Sequence, residues 1–251
     1  MEILLPAVAR FDAALRQCVD AAGRVDYAAF ADNESLRQRV AELAMHDWDA
    51  LRSRAEKLAF WINAYNTLVI ASVVEAVRRD PNFRGVLGSD TWALWPLQRA
   101  KDLLAGARFF LRGHGVGGRK VSLYSIEHRI LRGELREPRI HFALVCGAES
   151  CPPLRRGLYS AAHIDAELDN AARNFIGNPQ FVLIERETHT VWLSAIFKWY
   201  RNDFERAAGS VLNYIAQYRS DDERAYLERH GAQAHLRYFK YNWTLNHASA
   251  Q

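Results

Sequence analysis

Hydrophobic residues recur along the chain at helical spacing in several segments. Between residues 5 and 22, apolar side chains return every three or four positions, which predicts an amphipathic helix that stops near Gly23. Residues 56–77 are apolar nearly all round, which predicts a buried central helix ended by Asp80 and Pro81. Weaker patterns of the same kind predict further helices at 123–133, 163–176, 194–204 (capped by Ser194), 211–218 and 221–230.

Other segments have the short apolar or alternating runs that are typical of strands. The predicted strands are residues 119–122, residues 140–146, a hairpin of 181–185 with 190–193, and a late segment at 236–241. Residues 92–118 are rich in Trp and Gly, and their structure stays open. The pattern therefore predicts an α+β fold: a single helix-rich domain with a small mixed or antiparallel sheet.

No Pro- or Ser-rich linker divides the chain. We expect residues 1–45 to form an N-terminal helical segment packed on a domain of residues 46–251. A chain of 251 residues with 49% hydrophobic content can bury a sizeable core as one domain.

Charge and cysteine content limit the kinds of binding partner and the cellular compartment that we expect for the protein. The net charge is only +4 and the basic residues are scattered among acidic ones, so we expect no nucleic-acid partner. The first residues lack the features of a signal peptide, and no later segment approaches the roughly 20 apolar residues that cross a bilayer, so we expect no membrane partner. Three cysteines are too few for a disulfide framework, which favours a reducing, cytoplasmic location.

Residues 139–154 contain two of the three cysteines and are the most informative segment. Cys146 ends the predicted strand, and Cys151 follows in a turn rich in Gly, Ser and Pro. Alternation along a strand places His141 and Cys146 on opposite faces, and a Cys at the end of an apolar strand is usually a core residue. Cys151 is therefore the better candidate nucleophile.

A catalytic thiol needs a base and a group that orients the base. His141 and His128 both precede Cys151 and are the candidate bases; Asn66, Asn63 and Glu127 are the candidate orienting residues. Each also has a structural alternative. The histidines can bond a backbone carbonyl or cap a helix, and the two asparagines can satisfy backbone groups of a neighbouring loop.

Other chemistries fit less well. The spacing of Cys146 and Cys151 is a poor match to structural zinc sites, although His141 could add a third ligand. The glycines at 113–118 lack the Lys-Ser/Thr ending of a phosphate loop. We expect no metal and no cofactor. A reversible disulfide between Cys146 and Cys151 is sterically conceivable.

Five motifs in one order resemble a known family, domain of unknown function 547 (DUF547). The resemblance covers residues 50–246 and rests on 57–66 (KLAFWINAYN), 122–132 (SLYSIEHRILR), 139–154, 193–204 (LSAIFKWYRNDF) and 241–246 (YNWTLN). It implies little about activity, because the family is named for its lack of an assigned function.

These residues predict a thiol-dependent hydrolase or acyltransferase that acts on an amide, peptide or ester bond of a small-molecule or peptide substrate. The proposed reaction is analogous to that of papain and transglutaminase. In those enzymes the catalytic Cys precedes the His in the chain, whereas here both histidines precede Cys151. A shared fold would therefore require a circular permutation of the chain order. The alternative is a non-catalytic binding or scaffold domain, in which the Ser-Cys-Pro-Pro turn and the Asn pair shape a ligand or protein pocket. The oligomeric state stays open.

Overall fold

The structure, a computed structural model, describes residues 4–86 and 96–248. The chain is 58% helical, and the described residues form two small sheets of two and three strands, so the predicted helix-rich α+β fold is confirmed. The α-helices are α1 (Leu4–Cys18), α2 (Tyr27–Asp32), α3 (Glu34–Met45), α4 (Arg54–Arg79), α5 (Pro96–Leu111), α6 (Leu123–Ser125), α7 (Ile164–Gly177), α8 (Ala195–Trp199), α9 (Arg201–Ala208), α10 (Val211–Ala216) and α11 (Asp221–His230). The strands are β1 (Gly113–Val116), β2 (Arg119–Ser122), β3 (Val182–Glu185), β4 (Thr190–Leu193) and β5 (His235–Tyr238).

The packing of these elements divides the chain into two compact units. The first unit contains the described residues up to 135, residues 144–164 and the chain from 242 onward; the second contains residues 136–143 and 165–241. Within the first unit, α1 packs on α3, and α3 packs on α4. The expected boundary between residues 45 and 46 stays a prediction.

The central helix predicted at 56–77 is confirmed as α4. It begins with a capping box, because Ser53 Oγ accepts the N–H of Glu56 while the Glu56 carboxylate accepts the N–H of Ser53. It ends at Arg79, where Asp80 is the cap and Pro81 follows. Its middle is buried on all sides, which explains the lack of a polar stripe in its sequence.

By length and composition alone, α4 is also apolar enough to cross a membrane, contrary to the expectation from the sequence. Its most apolar stretch has a mean hydropathy of 1.3, and 72% of that stretch is buried inside the protein. A core helix of a soluble protein has the same properties, so this observation is weak evidence for a membrane segment.

Part of the open region 92–118 forms α5 and the first strand of a hairpin, while residues 87–95 lie outside the described residues. Strand β1 pairs antiparallel with β2, which confirms the strand predicted at 119–122. The helix predicted at 123–133 is present, but most of it, Ile126–Glu134, is a π-helix. The N–H of Leu135 closes it on the carbonyl of Ile130, five residues earlier. π-Helices are rare and frequently occur at functional sites.

The strand predicted at 140–146 is wrong. Pro138–Phe142 form a short 3₁₀ turn, and residues 143–146 have no regular structure. Pro138 presets a helical φ at the start of this turn, and the Glu137 carboxylate caps it by accepting the N–H of Arg139. The alternation that placed His141 and Cys146 on opposite faces therefore does not hold.

Burial on all sides explains why this segment is apolar without being a strand. Ile140 and Phe142 are buried in the second unit, whereas Leu144 and Val145 are buried in the first. A short apolar run shows that a segment is buried but does not by itself decide its backbone conformation.

In the second unit, the predicted hairpin is confirmed as β3 and β4, paired antiparallel. Strand β5, in the late segment predicted at 236–241, lies parallel to β4 with Val191 opposite Leu236. The core of this unit contains a cluster of phenylalanines, in which Phe142, Phe175, Phe197 and Phe204 pack against one another.

The helix predicted at 194–204 is confirmed at its start and differs in its middle. Ser194 caps α8 by accepting the N–H of Ile196, as predicted. The helix then breaks at Tyr200, whose φ and ψ are −110° and 22°, and α9 begins at Arg201. Asp203 and Phe204 therefore belong to a second short helix.

Candidate functional site

The cysteine turn, residues 146–151, is held by backbone bonds from the end of the chain. Gly147 has a φ of 81°, in the left-handed region that favours glycine, and its carbonyl accepts the N–H of Asn246 at 2.9 Å. The N–H of Glu149 donates to the carbonyl of Thr244 at 2.8 Å. Residues 242–246 therefore fix the cysteine turn, although they are far from it in sequence.

Pro153, the second of the two prolines that follow the cysteine turn, packs against Gly23. A Cβ atom at Gly23 would lie 2.5 Å from Pro153 Cβ, so only glycine allows this approach. The N–H of Leu154 donates to the Gly23 carbonyl at 3.3 Å. The glycine that was expected only to end the first helix therefore also seats the Pro-Pro segment.

The Cys151 sulfur receives a backbone hydrogen bond inside the turn. The N–H of Cys146 donates to Cys151 Sγ at 3.1 Å. Cys151 is buried, with 5% of its surface exposed, whereas Cys146 is half-buried. A donor that points at sulfur stabilises the thiolate more than the thiol, so this bond favours the nucleophilic form.

A buried phenol, Tyr27, lies beside the two thiols. Its hydroxyl donates to Asn246 Oδ1 at 2.7 Å. Burial, followed by the nearby charges of Cys151 and Cys146, raises the pKa of Tyr27 well above its ordinary value. Tyr27 therefore stays protonated and acts as a hydrogen-bond donor at physiological pH.

The two asparagines of α4 bind loop backbone. Asn63 makes a pair of bonds to Tyr159: Nδ2 donates to its carbonyl at 2.8 Å, and Oδ1 accepts its N–H at 2.9 Å. Asn66 Oδ1 accepts the N–H of Val145 at 3.1 Å. These contacts match the structural alternative named for the pair, and they fix the segments on both sides of the cysteine turn.

A narrow crevice with room for about one water molecule lies against this part of the first unit. Its walls are α1, α4 and the chain that follows the Pro-Pro segment, and they include Asn63, Asn66 and Arg155. Most of the other lining side chains are apolar, such as Phe11 and Ile70. The crevice is far smaller than the pockets of roughly 300–1,000 Å³ that hold small-molecule ligands.

Glu127 and His128 lie side by side on the π-helix. The hydroxyl of Tyr65 donates to Glu127 Oε2 at 3.3 Å, and His128 Nε2 lies 3.9 Å from Glu127 Oε1. On its other nitrogen, His128 Nδ1 lies 2.5 Å from the guanidinium of Arg132, so Nδ1 is an acceptor. Its ring contacts that of Tyr124, with centroids 4.2 Å apart and the planes tilted by 32°.

His141, in the second unit, is held by a carboxylate. Its Nε2 lies 2.8 Å from Asp203 Oδ2, and both side chains are buried. The imidazole stacks on Tyr200, with ring centroids 3.8 Å apart, and meets the edge of Phe204.

The structure thus places the predicted residues in three groups. Cys151 lies in the cysteine turn with Cys146, flanked by the loops that Asn63 and Asn66 hold. Glu127 and His128 are neighbours on the π-helix of the same unit. His141 lies in the second unit, paired with Asp203.

Three residues of these groups were missed from the sequence: Tyr27, Asn246 and Asp203. Asn246 and Asp203 both lie inside motifs that carried the family resemblance, and a polar residue in such a motif is the signal that could have identified them. Tyr27 lies outside those motifs and had no such signal.

Within residues 4–86 and 96–248, no three His, Cys, Asp or Glu side chains come close enough together to hold a metal ion.

Comparison with known proteins places this helix-rich α+β domain, with its buried cysteine turn, in a family. The sequence profile described as "Protein of unknown function, DUF547" matches residues 49–176, about half of the chain. The chain belongs to this family. No curated protein and no solved structure matches it.

Proposed function

We propose that the protein is a thiol-dependent hydrolase or acyltransferase, with Cys151 as the nucleophile. The observation that carries this proposal is the 3.1 Å hydrogen bond from the backbone N–H of Cys146 to Cys151 Sγ. An ordinary thiol is only a few per cent ionised near neutral pH, and this donor favours its thiolate. The substrate is a small molecule or peptide with an amide or ester bond.

In this reaction the thiolate of Cys151 attacks the carbonyl carbon of the substrate and forms a C–S bond. The tetrahedral intermediate collapses, the C–N or C–O bond breaks, and the leaving group takes a proton from the protonated base. Water or an acceptor then attacks the thioester and releases Cys151.

The base is one of the two predicted histidines, His141 or His128. Asp203, 2.8 Å from His141, stabilises the imidazolium that forms when the base takes a proton. For His128, the Glu127 carboxylate at 3.9 Å favours the same charge and the guanidinium of Arg132 at 2.5 Å opposes it. Asp203 orients His141, Glu127 is the candidate orienting residue for His128, and Asn63 and Asn66 bind loop backbone.

The proposal is tested by the reactivity of Cys151. We expect iodoacetamide to alkylate Cys151 at neutral pH faster than it alkylates glutathione, with the site located by peptide mass spectrometry. Hydrolysis of p-nitrophenyl acetate is expected to disappear in Cys151→Ala and to persist in Cys18→Ser, which removes a buried thiol outside the turn.

The base is assigned by comparing His141→Gln with His128→Gln. We expect the substitution that removes the base to abolish the acidic limb of the pH–rate profile and the other substitution to keep it. A Cys151 that reacts no faster than glutathione, in a protein without esterase activity, contradicts the proposal and favours a non-catalytic binding domain.

A further inference from the structure

The backbone of Cys146 lies close enough to the Cys151 sulfur for the two side chains to be joined. Since N and Cα of one residue are about 1.5 Å apart, the 3.1 Å contact places Cys146 Cα about 4 Å from Cys151 Sγ, and no farther than about 4.6 Å. In a disulfide, three bonds separate the Cα of one cysteine from the sulfur of the other, a distance of roughly 3–4.5 Å. The observed position thus already satisfies one geometric requirement of a disulfide.

The conformation of the turn and the exposure of its thiols also suit such a bond. Gly147, with its left-handed φ of 81°, reverses the chain directly after Cys146, and the N–H of Cys151 donates to the carbonyl of Ala148 at 3.0 Å. Cys146 is half-buried and thus within reach of a small oxidant, whereas Cys151 is almost completely buried. Cys18 is buried on α1 and belongs to neither end of the turn.

We propose that Cys146 and Cys151 form a reversible disulfide when the protein meets a hydroperoxide. The thiolate of Cys146 attacks the peroxide, an S–O bond forms, the O–O bond breaks, and the departing oxygen leaves as water or an alcohol after taking a proton. The thiolate of Cys151 then attacks the sulfur of the Cys146 sulfenic acid; the S–S bond forms, the S–O bond breaks, and the hydroxide takes a proton and leaves as water. Two thiols lose two electrons to one peroxide, and a dithiol reductant restores them.

The disulfide has a consequence that rests on the proposed function. A Cys151 sulfur bonded to Cys146 cannot attack a carbonyl, so peroxide switches the enzyme off reversibly. The bond also protects the nucleophile, because a sulfur in a disulfide does not proceed to irreversible sulfinic acid.

The test uses the full chain and hydrogen peroxide, followed by alkylation and trypsin. Cleavage after Arg139 and Arg155 leaves both cysteines in one peptide, residues 140–155. We expect this peptide to become resistant to iodoacetamide, to lose the mass of two hydrogen atoms, and to regain alkylation at both positions after dithiothreitol. Cys18→Ser is expected to behave in the same way as the unchanged protein.

Variants that lack one of the two cysteines distinguish a disulfide from independent oxidation of each thiol. In Cys151→Ser, peroxide is expected to leave a sulfenic acid at Cys146 that dimedone traps; in Cys146→Ser, Cys151 is expected to lose its protection and to accumulate sulfinic acid. Two results from the unchanged protein after peroxide treatment would overturn the inference. In the first, iodoacetamide still alkylates both cysteines. In the second, the cysteines carry sulfinic acid and the peptide has not lost two hydrogen atoms. A disulfide that forms in a protein without esterase activity supports the inference while the proposed function fails.

Discussion

At the scale of single residues, Asn63 shows how a polar residue inside an apolar helix organises the site. It is buried on α4, and both ends of its amide bond the backbone of Tyr159. A side-chain amide has one acceptor and one donor group in the spacing that a backbone N–H and C=O require. Asn63 therefore acts as a backbone partner for a loop that has no sheet of its own.

We expect Asn63→Ala to lower the free energy of unfolding by about 2–4 kcal/mol, because it leaves the N–H and the C=O of Tyr159 without their partner. Urea unfolding measures this loss. Asn170→Ala, on the exposed face of α7, is the control and is expected to change stability by less than about 0.5 kcal/mol. Equal effects of the two substitutions would contradict the bonding role of Asn63.

At the scale of elements, α3 carries an ion pair on a buried face. Arg39 Nη1 and Glu42 Oε1 are 2.8 Å apart, and their side chains are only 7% and 6% exposed. Arg39 Nε and Glu42 Oε2 have no hydrogen-bond partner among the described residues. Such a pair is costly to desolvate, so its benefit depends on both charges being present.

We expect Arg39→Met to destabilise the protein by about 3–5 kcal/mol, since it leaves the Glu42 carboxylate buried without its counter-charge. The double variant Arg39→Met/Glu42→Leu is expected to recover most of that loss. Denaturant midpoints of the single and double variants measure the coupling.

The same helix offers a matched control for this pair. Arg37 and Glu34 have the same three-residue separation, but their side chains are 56% and 59% exposed. Arg37→Met is expected to cost less than about 1 kcal/mol. A double variant at Arg39 and Glu42 that is no more stable than Arg39→Met alone would show that the buried charge is not the cause.

At the scale of the whole molecule, two half-buried histidines, His46 and His114, couple stability to pH. Burial lowers the pKa of His46, which stacks on Phe60 at 4.5 Å, and burial also lowers the pKa of His114. For His46 the charge of Arg39 adds to this effect, while Glu42 and Asp47 partly oppose it. For His114, Arg112 lowers the pKa further and Glu75 raises it.

A histidine whose pKa is lower in the folded state binds protons more readily when unfolded. The stability that such a histidine contributes is therefore fully present above its pKa in the unfolded state, near 6.5. This stability is lost as the pH falls below that value. We expect stability to decrease from about pH 6.5 downward, by at most about 1.4 kcal/mol per pH unit for each histidine.

Urea unfolding between pH 5 and pH 8 tests this dependence. His46→Gln is expected to flatten the acidic slope, whereas His235→Gln, at an exposed position on β5, is expected to leave it unchanged. An acidic slope that is the same in all three proteins would contradict the assignment to His46.

Local signals in the sequence account for much of the fold. The capping box of Ser53 and Glu56 starts α4, and Asp80 and Pro81 end it. The alternation of apolar and polar residues in β3 and β4 predicts the hairpin that they form. These elements could be predicted because their residues interact with near neighbours in the chain.

The backbone of residues 140–146 and the break at Tyr200 depend on packing that no local pattern records. The sequence by itself therefore determined the helix-rich class, the caps and the position of the cysteine turn. Only the tertiary structure decided what surrounds the candidate groups. Tyr27 bonds Asn246, which is 219 residues away in the sequence, and His141 bonds Asp203, which is 62 residues away. The physical reason is that a hydrogen bond depends on distance in space, and a distance in space between remote residues follows from the packing of the whole core.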